Sequence, residues 1–173
     1  MRKFNILAFS LLIAAAALGA QELSTKKSLN LAVTKVIVAA AEKEATKNGW
    51  AMFIAVVDDG GVLTTVERMD DAQIGSLDVS IGKARTALKF KRPSKAFEDL
   101  INSGRNSLLG LPGLTPVEGG FPLMADGKVI GAIGVSGAAN QQRDEAVAKA
   151  DAAPGKGCSG SEALARLREW TSK

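Results

Sequence analysis

The apolar positions of this chain switch several times between three-and-four spacing and alternating or continuous runs, and each switch marks a predicted element. Leu29, Ala32, Val33, Val36, Ile37, Ala40 and Ala41 form one face of a first helix, while Lys26, Lys27, Asn30, Lys35, Glu42 and Lys43 fill the other. Ser24 or Thr25 is expected to cap it, and Gly49 to stop it. Residues 50–57 are nearly all apolar, as a strand covered on both faces requires. The D-D-G-G turn from Asp58 to Gly61 then leads into a second strand over residues 62–69, paired with the first as an antiparallel hairpin.

A second helix is expected over residues 76–91, because Leu77, Ile81, Ala84 and Leu88 share a face and Pro93 ends the run. Ser94 is expected to cap a third helix through Ile101, closed by Gly104. Residues 105–120 are crowded with Gly and Pro and have no period, which predicts a loop of the kind that carries function on a rigid scaffold. Strands over 121–125 and 128–136 bracket the Asp126–Gly127 turn, and Gly131 and Gly134 in the last strand admit a close backbone or a flat ligand. A fourth helix follows from Asn140 to about Ala152, broken by Pro154.

The ends of the chain read differently from its middle. Arg2 and Lys3, the apolar run 4–18, and then Gly19 and Ala20 have the form of a secretory leader cleaved near residue 20. The run is shorter than the roughly 20 residues a membrane-crossing helix needs, so a periplasmic or secreted protein without a permanent membrane span is expected. The organisation that follows is a leader at 1–20, one domain at 21–154 and a tail at 155–173, in which Leu164, Leu167 and Trp170 suit a short amphipathic helix. Cleavage removes Arg2 and Lys3, taking 22 basic residues to 20 against 18 acidic ones. A net charge of +2 is no footprint for nucleic acid.

Histidine and tyrosine are both absent. No Ser-His-Asp set can be assembled, and any bound iron must use Met, Cys, a carboxylate, Lys or a hydroxyl, or leave an axial position to water. Cys158 stands alone in a Gly-rich stretch and has no partner for an internal disulfide. Ser80 and Lys83 have the S-x-x-K spacing of penicillin-recognising enzymes, but the S-D-N and K-T-G elements that complete it are missing. The pairs Asp58–Asp59 and Asp70–Asp71 suit turns better than a hard cation. Lys83, Arg85, Lys89, Lys91 and Arg92 read as a solvated helix face that could also meet an acidic ligand or partner. Met52 reads as core, while Met69 and Met124, near strand ends, could stand at a pocket mouth.

Five strings taken together, A-V-V-D-D-G-G-V-L, E-R-M-D-D-A, G-K-A-R-T-A, G-G-F-P-L and G-A-I-G-V-S-G-A, resemble the GlcG/HbpS family of haem-binding proteins, which includes the carboxy-terminal domain of PduO-type proteins. The resemblance covers residues 23–153 and implies an α+β fold, a profilin-like sandwich with an antiparallel sheet of about five strands flanked by helices. It further implies a homo-oligomer that binds haem or a related tetrapyrrole, in a storage or sensing rather than a catalytic role. The alternative is a haem-free structural module or a partner of a sensor protein. Where some relatives place a histidine on the first helix, this chain has Thr34 and Lys35. The resemblance then points to Thr115 as a hydroxyl ligand to iron, with Met124 or Met69 as substitutes, and to a crevice bordered by Thr86, Gly119, Gly120, Phe121 and Met124. Pro122 and Leu123 would add apolar wall.

Overall fold

The computed structural model describes residues 23–137 and 141–152; the leader, Cys158 and the expected tail helix lie outside them. Helix α1 spans Leu31–Lys47 and starts later than its apolar spacing suggests. Asn30 caps it, its side-chain oxygen accepting from the Val33 amide at 2.9 Å, so Ser24 and Thr25 have no capping role. Strands β1 (Phe53–Asp58) and β2 (Leu63–Arg68) form the first hairpin. Its turn is organised by Asp58, whose carboxylate accepts from the amides of Gly60 and Val62, both at 2.9 Å. Asp59 is ion-paired with Lys26, so the first acidic pair belongs to turn and surface chemistry.

Helix α2 (Ser76–Phe90) ends with Lys91 in the left-handed region, two residues before Pro93. Helix α3 (Lys95–Asn102) follows, with Ser94 at its N-cap position but not capping it. The Ser94 hydroxyl instead donates to Val117 O at 2.6 Å and accepts from the Gly120 amide at 2.8 Å, stitching the loop to the start of α3. One 3-10 turn, Asn106–Gly110, interrupts that loop. Strands β3 (Gly120–Ala125) and β4 (Lys128–Ser136) make the second hairpin, turning through Asp126 and Gly127, both at positive φ. Helix α4 spans Gln141–Ala152.

The two hairpins join through β1 and β4 into one antiparallel sheet of order β2-β1-β4-β3. Four strands stand among the described residues, where about five were expected. One face carries Ile54, Val56, Leu123, Ile133 and Val135, packed against Ile37, Val38 and Ala41 of α1 and Val147 and Ala148 of α4. The opposite face carries Val57 and Ala132 against Ala84 and Ala87 of α2. Strand β1 is therefore covered on both sides, which explains its unbroken apolar run.

The glycines of β4 serve packing. A Cβ on Gly134 would collide with Ser80 O and come within 2.5 Å of Ala84 N, so this residue lets the α2 backbone lie on the sheet. A Cβ on Gly131 would overlap Leu29 at the foot of α1. Neither position is open to a flat ligand. Gly134→Ala is expected to lower stability by about 3 kcal/mol through overpacking. Gly75→Ala, whose Cβ meets open space, should leave the urea midpoint nearly unchanged in the same series.

Candidate functional site

Helix α2 has two working faces. Its inner side is made of small residues, Ser76, Ser80, Ala84 and Ala87, with Lys83 among them at 1% exposure. That lysine does not join the solvated basic face expected for it. Its ammonium passes the end of the sheet to Asp144 on α4, 2.7 Å away, and also donates to Val135 O at 3.0 Å. Burial pulls the Lys83 pKa below the ordinary lysine value, and the adjacent Asp144 carboxylate acts against that shift. Ser80, the other half of the S-x-x-K spacing, donates back to Leu77 O at 2.8 Å and is fully buried. It is a packing residue.

Gly119 and Gly120 make room for this arrangement. Gly119 sits at φ +119, and a Cβ there would lie 2.8 Å from the Asp144 Cβ and 3.0 Å from the Lys83 ammonium. A Cβ on Gly120 would meet the Lys83 backbone and stand 2.9 Å from the Ser94 hydroxyl. The space expected to form a ligand crevice along these glycines is filled by the chain's own Lys83, Asp144 and Ser94.

A group of carboxylates borders the Lys83–Asp144 pair. The Glu118 amide donates to Glu98 at 2.7 Å, and the Glu118 carboxyl faces Lys95 at 3.6 Å. Burial, reinforced by hydrogen bonding and charge repulsion with Glu145, pushes the Glu118 pKa up to about 7, while Lys95 works in the opposite direction. The Glu145 carboxyl lies below its ordinary value: burial raises it, and the hydrogen bonds from Glu118 and Lys149 together outweigh that effect. The pair therefore takes up its first proton at higher pH than an ordinary carboxylate does. Among the described residues no group of three or more acidic or Cys side chains is arranged to hold a metal ion.

The outer face of α2 is where expected site residues do meet. Thr86 is fully buried, and its hydroxyl accepts from the Thr115 amide at 2.8 Å. The Thr115 hydroxyl lies directly over Gly82, where a Cβ would overlap it. Mid-helix glycine costs about 1 kcal/mol relative to alanine, and the approach of Thr115 is the reason for it here. The Thr115 hydroxyl has no hydrogen bond among the described residues, and Thr115 is half-buried.

The remaining expected residues lie elsewhere. Phe121 points to the α1–α4 side, against the core and under the Lys149 ammonium, 5.4 Å from its ring centroid. Met124 is 51% exposed near the β3–β4 turn, and Met69 packs on the main core. Leu123 is in the core on the α1–α4 side, and Pro122 is half-buried beside Ala132. A depression of about 450 Å³ on α1 around Glu42 and Thr46, and another of about 340 Å³ around Thr25, Asp126 and Ile130, contain none of the expected residues. Gly82, Asp144 and Glu118 were not singled out from the sequence, and Ser94 was read only as a helix cap. Only Gly82 carried a local sign, as a glycine inside an amphipathic helix.

The family model described as haem degrading protein HbpS-like matches residues 29–153. Protein GlcG of Escherichia coli K12 is 45% identical over 114 residues, covering 66% of this chain and 85% of that one. Among solved structures, a double mutant of Streptomyces reticuli HbpS superposes with a TM-score of 0.71 at 32% identity, over 79% of this chain and 92% of that one. A PduOC–haem complex superposes with a TM-score of 0.65 at 26% identity, over 72% and 92%.

Two outcomes follow for the buried groups. Lys83→Met removes the buried ammonium facing Asp144 and is expected to cost about 3 kcal/mol in urea unfolding, part of it recovered when Asp144→Leu is added. Because Glu118 is raised from 4.5 to about 7, the folded state binds its proton more tightly than the unfolded chain, so stability falls as pH rises across that window. Glu118→Gln should flatten that fall, measured as unfolding free energy at intervals from pH 5 to pH 8.

Proposed function

The chain belongs to the HbpS-like family, and from there we propose that it is an exported haem-binding protein, periplasmic or secreted, that works as a homo-oligomer. The observation that carries the binding reading is the Thr115 hydroxyl, unbonded among the described residues and set over Gly82 on the outer face of α2. The family model described as haem degrading protein HbpS-like and the likeness to the PduOC–haem complex support haem over other planar ligands.

The residues present fit such a group as a surface ligand. Thr115 would face the iron, and its backbone is fixed by the hydrogen bond to Thr86. When bound, haem supplies an iron centre that accepts an oxygen donor. A neutral hydroxyl is a weak ligand beside imidazole or thioether, so modest affinity is the expectation. Met124 stands exposed near the β3–β4 turn and Met69 packs on the main core, so Thr115 is the preferred donor of the three.

A second reading keeps the fold without the ligand, as a structural module or a partner of a sensor protein. It is favoured by the filled space at Gly119 and Gly120 and by the absence of histidine. One titration separates the two. Mature protein titrated with hemin should develop a shifted Soret band, weakened roughly tenfold by Thr115→Val and by Gly82→Ala, which displaces the same hydroxyl. Met124→Leu should leave it unchanged. Binding no tighter than to an unrelated protein of like charge would establish the haem-free module instead.

A further inference from the structure

Along the outer face of α2, Gly82, Arg85 and Lys89 stand at helical spacings of three and seven, so Arg85 and Lys89 lie about 4.5 and 10.5 Å beyond the seat of Thr115. Neither cation has a carboxylate partner among the described residues, although most other lysines near the sheet ends do. The Arg85 Nε donates to Gly61 O at 3.3 Å, which holds the guanidinium beside the β1–β2 turn. The Lys89 ammonium lies 3.0 Å from where a Cβ on Gly113 would be, beside the loop that carries Leu111. Helix polarity accounts for a cation in the last turn such as Lys89, but not for Arg85 in the helix interior.

Apolar surface adjoins each charge. Val62, next to Gly61, is 63% exposed, and on the other side Leu109 and Leu111 are 63% and 38% exposed. A hydroxyl, two cations without acidic partners in line, and apolar rims beside the cations suit a flat apolar molecule with acidic groups along one edge. Resting on the haem reading, we infer that Arg85 and Lys89 anchor the carboxylates of the ligand and set its orientation relative to Thr115.

Hemin and hemin dimethyl ester, which lacks the free carboxylates, are titrated into the wild-type protein, Arg85→Gln/Lys89→Gln, and Lys35→Gln/Lys43→Gln. The last pair removes the same charge from exposed α1 lysines that have no ion pair among the described residues. The first double variant should bind hemin roughly tenfold more weakly, as expected for two exposed ion pairs, with no change for the ester. The α1 variant should match wild type with both ligands. Unchanged hemin affinity in Arg85→Gln/Lys89→Gln, or an equal loss in the α1 variant, overturns the anchoring role while haem binding stands. Wild-type protein that binds neither ligand removes the haem reading itself, and the anchoring role with it. Circular dichroism of each variant confirms that the fold is retained.

Discussion

A lysine enters from the helix on one side of the sheet and finds its acid on the helix of the other side. Lys83 and Asp144 are both almost wholly removed from water, at 1% and 2% exposure. Two charges so placed are tolerable only when each is matched, and the Val135 carbonyl supplies the lysine with a second acceptor. The path between them runs where Gly119 carries no side chain, so the loop before β3 must arrive with that residue at positive φ. Ser94 holds the loop in this course from the other side, bonding both Val117 and Gly120. The course of the loop at residues 117–120 is thus set jointly by the ion pair and by Ser94.

Helix α2 transmits that constraint to the surface. Its inner face is tied to the sheet through Gly134 and through Lys83, and its outer face receives Thr115 over Gly82. Thr86 belongs to both, because its side chain is buried yet its hydroxyl holds the Thr115 amide. The candidate ligand face therefore rests on a helix tied both to the sheet and to the loop before β3. Preorganisation of this kind reduces the ordering cost of binding, which matters when the available donor is a weak one.

Much of the fold was legible because local chemistry and tertiary packing agree. The turn at Asp58–Gly61 and the one at Asp126–Gly127 announce their hairpins, and the continuous apolar run of β1 announces cover on both faces. Asn30 was missed as a cap because Ser24 and Thr25 are equally good local candidates and the apolar spacing begins before either choice is decided. The site was harder to read. Lys83 looks like a surface charge until its partner is known, and Asp144 lies 61 residues away. The glycines at 119, 120, 131 and 134 do signal close approach, but nothing local tells whether helix, side chain or ligand makes it. Thr86 and Thr115 were found through resemblance, and the glycine beneath them through geometry.

Strand order puts β2 and β3 at the two margins of the sheet, and the margins are unequal. Pro122, in β3, has no amide hydrogen to offer a newcomer, so a chain trying to zip onto that side meets a gap in the ladder. Strand β2 ends on Glu67 and Arg68, charged side chains that discourage indiscriminate docking of hydrophobic strands. Runaway fibre growth by edge-to-edge templating is thereby hindered on both flanks, leaving helical and loop surfaces as the routes by which copies can meet without polymerising.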